Sequence, residues 1–330
     1  MTAARHRLPR LFIGLAIAAA TTTVAAGAHD FVRMTAATNL TLRQTPNADA
    51  PILAFLPIGT EVTEAGPAGM DKTWVHVRLQ DNREGWLLSN LTRVVESGRR
   101  TATIEGIVVD RLGRRGDSPS TTIELADFIE REASAITDAQ TAARFDLYRL
   151  RAVSSVLTTI RLNLGKRDPY LSWLDRHKTL IAYDEPGGRW ILSNSTIWQI
   201  HDQHPDAAAA DEIAWLAATN GFAGECGGKL VCYVDAINKL HGEYLRRHPA
   251  GRHADEAVAK IRETSVQLSA PASAHPFYMF DKARDCAPLL KAVDGLTAAI
   301  AGASAAGKAE AGQSVGALRA TCKASAIGKR

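Results

Sequence analysis

Between residues 34 and 95 the hydrophobic positions occur in short runs that are separated by turn residues. Runs of four or five residues are too short for helices, and Pro, Gly, Asn and Asp favour tight turns. Five such strands in about sixty residues predict a small β-barrel over 34–95. The predicted strands span 40–43, 52–55, 61–64, 74–78 and 85–88.

From Thr122 onward the apolar residues are spaced three and four apart, as in helices. One interruption near 182–192 places Pro186 and two glycines between short apolar runs, which predicts a hairpin within a helical region of 122–203. The predicted helices span 122–136, 139–163, 169–181, 194–203, 208–219, 231–248, 254–268, 288–301 and 308–323.

Residues 96–121 separate these two patterns. The segment is rich in Gly, Arg and Ser and contains only one short apolar stretch, 107–109. We interpret 96–121 as a linker. The predicted fold class is therefore multidomain β plus α, with a small β-barrel followed by an α-helical region.

One sequence pattern repeats within the helical region. His204-Pro205-x4-Ala210-Asp211-Glu212 recurs 44 residues later as His248-Pro249-x4-Ala254-Asp255-Glu256. Proline ends a helix, and carboxylates favour the first turn of the next one, where they complement the exposed N–H groups. The pattern predicts successive helix–turn–helix units over 204–268.

The N-terminal segment closely resembles bacterial-type SH3 (SH3b) domains through 39–43, 51–62, 74–78 and 83–87, which follow the family's order and spacing. It departs from the family at Gln44-Thr45-Pro46 and lacks an aromatic residue before Ile52. The resemblance implies that the predicted barrel is an SH3-like β-barrel. It also implies extracytoplasmic targeting, often to peptidoglycan. Candidate ligand-binding residues are Arg43, Trp74, Arg78 and Trp86.

The second repeat unit resembles tetratricopeptide-type units of cell-envelope assembly proteins. The matching pattern is Tyr233-x2-Ala236-Ile237-x6-Tyr244-Leu245, followed by the His248-Pro249 motif and by Ala254 and Ala257. Small Ala residues at such positions let helices pack closely. The resemblance implies protein–protein interaction, although 44 residues exceeds the usual repeat of about 34, and an unrelated helical bundle is the alternative. Candidate interaction residues are Tyr233, Tyr244, Arg246 and Arg247.

The N-terminus has the pattern of an export signal. Basic residues precede an apolar run over 11–20, and Ala26-Gly27-Ala28 matches the small-residue cleavage pattern. We therefore predict a signal peptide over 1–28 and a periplasmic or secreted product, with an uncleaved anchor as the alternative.

Cleavage would change the charge balance. Three of the 39 Lys and Arg residues lie in 1–28 and none of the 35 Asp and Glu residues does, so the mature chain carries 36 − 35 = +1. A balance so near neutrality argues against a nucleic-acid partner and against binding to a membrane surface. No stable membrane insertion is expected after cleavage.

Four cysteines in an exported chain predict two disulfides, and four cysteines allow three connectivities. Cys226 and Cys232 bracket a Gly-Gly turn that lets a short loop close. Pro288 places Cys286 near a helix start, and Cys322 lies near the end of the next helix. We predict the pairs 226–232 and 286–322, the second within a disulfide-linked helical hairpin over 276–325.

Several segments match the spelling of catalytic motifs but lack other features that those motifs require. Gly302-x4-Gly307-Lys308-Ala309 lacks the hydroxyl and the preceding strand of a phosphate-binding loop, and Gly312-x-Ser314-x-Gly316 lacks a strand to support a nucleophile. A zinc site would need CxxC or HExxH spacing. His201, three residues before His204 at a helix end, is expected to face solvent. We predict no catalytic residues, cofactor or metal.

These patterns together predict an exported, non-enzymatic binding or scaffold protein of the cell envelope, whose partner is peptidoglycan or an envelope protein. The alternative is a divergent peptidoglycan hydrolase or its accessory subunit, because SH3b modules often accompany wall hydrolases. A third hypothesis is that the helical region only holds the barrel away from a surface.

Overall fold

The computed structural model describes residues 31–66, 72–114, 116–221, 224–269 and 279–323. The predicted signal peptide lies outside these residues, as do both ends of the predicted 276–325 hairpin. Within them, strands occupy the N-terminal part and helices occupy the rest, interrupted by one hairpin. The predicted β-plus-α organisation is confirmed.

The N-terminal strands form one antiparallel sheet, with seven strands in the described residues and the order β3-β2-β6-β5-β4-β1-β7. The sheet contains the five predicted strands and two that were not predicted, β1 and β7. These two have only four and three residues, too few to show the alternation of a strand. The strands are β1 (Val32–Thr35), β2 (Leu40–Arg43), β3 (Ile52–Leu56), β4 (Glu61–Glu64), β5 (Trp74–Arg78), β6 (Glu84–Leu88) and β7 (Thr92–Val94), and the later hairpin comprises β8 (Ile181–Asp184) and β9 (Arg189–Leu192).

Alternation along the strands gives the sheet its own core. Buried residues from β2 to β6 form one apolar cluster, and the residues between them on each strand face outward. Because the members come from five strands of a single sheet, the sheet curves around them. The cluster contains Leu40, Leu42, Leu56, Val62, Val75, Val77, Leu79 and Leu87.

The helices follow the predicted pattern, with ends set by local capping. Asp138 accepts from the backbone N–H of Thr141 at 2.8 Å, and Ser118 accepts from that of Thr121 at 3.3 Å. The helices are α1 (Arg100–Leu112), α2 (Pro119–Ala133), α3 (Ala139–Thr159), α4 (Tyr170–Arg176), α5 (Asn194–Gln203), α6 (Ala210–Thr219), α7 (Leu230–Ile237), α8 (Glu243–Arg247), α9 (Ala254–Ser269), α10 (Lys282–Gly302), α11 (Lys308–Ala317) and α12 (Ala320–Lys323).

The prediction of a linker over 96–121 is wrong, because α1 occupies half of it. Ile104, Ile107, Val108 and Arg111 are buried on one face of α1, at the spacing of a helix that packs against a core. Glycine and arginine obscured this spacing in the sequence.

The sheet and the first helices share a core. Met34 and Ile58 from the sheet belong to the same apolar cluster as Phe128 of α2. The Glu124 carboxylate accepts from the backbone N–H of Ile58 at 2.8 Å, and Arg100 bridges Glu61 of β4 to α2. The chain between sheet and helices is therefore packed rather than free.

Later helices associate in pairs. A π turn over Asn238–Gly242 joins α7 to α8, so that 230–247 forms one continuous helix, here called α7–α8. Three successive pairs are α5 with α6, α7–α8 with α9, and α10 with α11. Asp211 accepts from the backbone N–H of Arg252 at 2.9 Å, and Asp255 accepts from that of Ala306 at 2.8 Å. Each repeated Asp thus binds the turn of the next pair.

Both predicted disulfides are confirmed. Cys226 pairs with Cys232, and Cys286 pairs with Cys322 across Cα–Cα distances of 5.3 and 5.6 Å. The expectation that Pro288 marks a helix start is wrong, because Asp281 caps α10 six residues earlier than expected, nearly two turns, and leaves Pro288 inside the helix. No helix in the described ranges is long and apolar enough to cross a membrane.

Candidate binding groove

A groove runs across the first helices of the three pairs. It comprises two cavities, of about 450 Å³ between α5 and α7–α8 and about 970 Å³ between α7–α8 and α10, which share Cys232, Asp235 and Lys239. Volumes of this size accommodate peptide side chains. The groove is lined by Asn194, Ser195, Trp198, Lys229, Val231, Cys232, Asp235, Ala236, Asn238, Lys239, Leu240, Glu243, Arg246, Arg247, Arg284, Asp285, Pro288, Lys291, Ala292 and Gly295.

The periodicity of α7–α8 sets which side chains reach the groove. Val234 and Ile237 point into the apolar cluster of the paired helices, while Asp235 and Lys239 line the groove one turn apart. Two glycines allow α10 to approach closely, since a Cβ on Gly242 would lie 3.2 Å from Leu296 and one on Gly295 would lie 3.1 Å from Asn238.

The groove carries a positive charge. Its lining contains six cationic residues and three carboxylates, a net of +3, against +1 for the whole predicted mature chain. Most cations have a carboxylate partner, such as Lys239 with Asp235 at 2.6 Å and Arg284 with Asp285 at 3.0 Å. Within the described residues, Lys229 and Lys291 form no ion pair with a carboxylate, although the charge of Lys229 helps to lower the pKa of Asp285.

One wall of the groove is an aromatic–cation stack. The Arg247 guanidinium lies 4.9 Å from the ring centroid of Trp198, and its Nε donates to Glu243 at 2.7 Å. Burial alone would raise the pKa of Glu243, but hydrogen bonds from Arg247 and Arg246 lower that pKa overall. The Glu243 carboxylate therefore stays ionised beside Arg247 at neutral pH.

Behind this wall a buried polar network ties the first pair to the second. The Tyr244 hydroxyl donates to Asp211 at 2.6 Å and accepts from the backbone N–H of His253 at 3.0 Å. Burial, together with the bond to Asp211, raises the pKa of Tyr244. The Nε2 atoms of His201 and His248 lie 2.8 Å apart. The expectation that His201 faces solvent is wrong, because the second pair covers it.

Of the four predicted interaction residues, two line the groove and two pack against or within the apolar cluster behind it. Arg246 and Arg247 line the groove, and Tyr233 is half-buried beside the apolar cluster. Tyr244 is fully buried and bonded internally, so its assignment as a contact residue is corrected to a structural one.

Sequence reasoning missed Trp198, Lys239 and Lys291, which lie on three different helices. The available signal was the 44-residue repeat, because the first helices of stacked units line a common face.

Of the four predicted ligand residues of the sheet, three lie in or beside one row across the strands and the fourth, Trp74, is buried. Arg43 of β2 lies opposite Trp86 of β6, and Trp86 lies opposite His76 of β5, on which it stacks with a centroid distance of 4.9 Å. Exposed Arg78 bonds Glu84 at 2.8 Å beside this row. Trp74 is 7 % exposed, so its assignment as a ligand contact is corrected to a packing role.

Metal-ligating side chains converge elsewhere. In the part of the chain that the structure describes, one set lies close enough to share an ion, namely Asp127, Glu130 and His177. It belongs to α2 and the end of α4, outside the groove.

Comparisons with protein-family models, curated proteins and solved structures found no match to this chain.

Proposed function

We propose that the chain is an exported, non-enzymatic binding or scaffold protein of the cell envelope, whose groove binds an acidic segment of a partner protein. The net +3 charge of the groove is the observation that carries this proposal. Complementary charge attracts an acidic segment and selects it over basic ones, while the apolar parts of Trp198 and Leu240 provide contact area.

The helix pairs support a tetratricopeptide-like arrangement. Each pair ends its first helix before a turn and starts the second with carboxylates, and Asp211 and Asp255 make the same contact to the following turn. Stacking of this kind aligns the first helices and creates a continuous binding face, as in repeat proteins.

The N-terminal sheet is proposed as an SH3b-type module. The row formed by Arg43, Trp86 and His76, with Arg78 beside it, presents aromatic and cationic groups on the outer face. Such groups suit the sugars and carboxylates of a cell wall or a protein segment. Export is supported by the two disulfides, since disulfides persist outside the reducing cytosol.

The experiment is affinity capture from envelope extract with matched charge reversals. Lys229→Glu/Lys291→Glu reverses two groove charges that have no described ion pair, and Arg262→Glu reverses an exposed charge on α9, outside the groove lining. The double variant should recover about tenfold less partner than the wild type, because each reversal replaces an attraction with a repulsion.

Arg262→Glu should capture the partner as well as the wild type does. Equal capture by all three proteins would contradict the groove as the binding site. Release of soluble muropeptides from purified peptidoglycan by the protein alone would contradict the non-enzymatic proposal and favour the hydrolase.

A further inference from the structure

Two helices bring a histidine and two carboxylates together beside the first core. Asp127 and Glu130 lie one turn apart on α2, and His177 follows α4 directly. One ligand atom from each of the three side chains lies within 4.8 Å of the others. Small side-chain rotations would bring all three to a common ion, since the Asp127 and Glu130 side chains are 39 % and 48 % exposed.

The histidine is held in a fixed tautomer. His177 is buried, and its Nδ1–H donates to the carbonyl oxygen of Trp173 at 2.8 Å, because that oxygen can only accept. In the neutral ring the lone pair is therefore on Nε2, which faces the Glu130 carboxylate at 3.3 Å. Metal-binding histidines in proteins are oriented in this way.

Trp173 orients two of the three side chains. Its indole N–H donates to Asp127 Oδ1 at 2.8 Å, and its ring stacks on that of His177 with a centroid distance of 4.0 Å. Trp173 itself is 1 % exposed and therefore rigidly packed. The arrangement supplies the second shell that a metal site requires.

The Nε2 atom of His177 and the Glu130 carboxylate face each other at 3.3 Å. Either a proton on Nε2 or a metal ion can complete this contact, since both are electron-pair acceptors. Arg176 lies 3.6 Å from Asp127 and Arg149 lies 3.9 Å from Glu130. Both are at ion-pair distance but too long for a direct hydrogen bond, so neither guanidinium occupies the position between the three ligand atoms.

We propose that Asp127, Glu130 and His177 bind a divalent transition-metal ion, with Zn²⁺ the best match. One imidazole and two carboxylates suit zinc better than magnesium or calcium, which prefer oxygen ligands alone. The site is separate from the groove and does not depend on the proposed function. Its residues escaped sequence analysis because Glu130 and His177 are 47 residues apart.

Calorimetric titration of the EDTA-treated mature protein with zinc chloride tests the site. The wild type should bind one zinc per chain and unfold at a higher temperature with zinc present. His177→Ala should lose this binding. His204→Ala should keep it, because His204 contacts only one carboxylate, Asp146 at 3.0 Å.

Asp127→Asn/Glu130→Gln provides a second variant at partly exposed positions, and its fold can be confirmed by circular dichroism. It too should lose zinc binding and the zinc-dependent rise in unfolding temperature. Zinc binding by this folded double variant at wild-type affinity, an equal loss in His204→Ala, or no binding by the wild type would each overturn the proposal.

Discussion

His241, in the π turn of α7–α8, is a buried histidine whose Nδ1 has no hydrogen-bond partner in the described structure. Burial lowers its pKa to about 4, and the nearby charge of Lys260 adds to this effect. An unfolded chain takes up the proton near pH 6.5, before the folded chain does. Stability present above pH 6.5 is therefore lost as the pH falls toward 4.

We predict that His241 costs the wild type about 2 kcal/mol of unfolding free energy between pH 7.5 and pH 5. Urea denaturation of the wild type and His241→Leu at both pH values measures this term. The variant should lose less stability in acid by about that amount. The same pH dependence in the wild type and His241→Leu would show that burial does not control this histidine.

At the scale of elements, the contact between the sheet and α2 depends on Gly59. This residue has a φ of +82°, and a Cβ added to it would overlap the ring of Phe128. The turn after β3 thus needs glycine for its conformation and for its close approach to the helix.

We predict that Gly59→Ala lowers the unfolding free energy by about 1–3 kcal/mol more than Gly98→Ala does. Gly98 also has a positive φ, +73°, but its added Cβ meets nothing within 4 Å. Both variants share the backbone penalty, so their difference reports the clash. Equal losses in chemical denaturation would mean that the sheet does not pack on α2 as described.

Secondary structure was largely predictable because each element carries its own period. The strand that starts at Leu40 and the helix that ends at Gln203 were placed from sequence alone. Helix α1 was missed because its buried face holds only three aliphatic residues, Ile104, Ile107 and Val108, and includes Arg111. Tertiary contacts were harder to predict from the sequence, because they join residues that are far apart in the chain. Trp198 and Lys291 line the same groove, and the partner of His201 is His248, 47 residues away.

At the scale of the whole molecule, the two disulfides close loops of very different size. Cys226–Cys232 spans 6 residues, and Cys286–Cys322 spans 36 and joins α10 to α12. Chain-entropy arithmetic assigns about 2 kcal/mol to the short loop and about 4 kcal/mol to the long one.

Denaturation of Cys226→Ser/Cys232→Ser and Cys286→Ser/Cys322→Ser should therefore show the larger loss for the second pair. The oxidised wild type should show no free thiols, and four after unfolding and reduction, since each cysteine has a partner. Free thiols in protein isolated from its native source under alkylating conditions would contradict both the disulfides and the proposed export.

The proposed function predicts where a partner contacts the molecule. Lys239 lies at the centre of the groove, where its two cavities meet, and Arg262 is exposed on α9 and does not line the groove. A photo-cross-linking residue at each position samples the groove and a matched exposed site. Two proteins without a cross-linking residue serve as competitors for the partner. One is the wild type and the other is Lys229→Glu/Lys291→Glu.

The most direct measurement is photo-cross-linking in envelope extract with a chain that begins at His29, after the predicted signal peptide. The account predicts a discrete adduct from position 239 and none from position 262. Excess wild-type protein should suppress the adduct, and the double variant should not. An adduct from position 262 alone, or one from 239 that both competitors suppress equally, would contradict the groove as the binding surface.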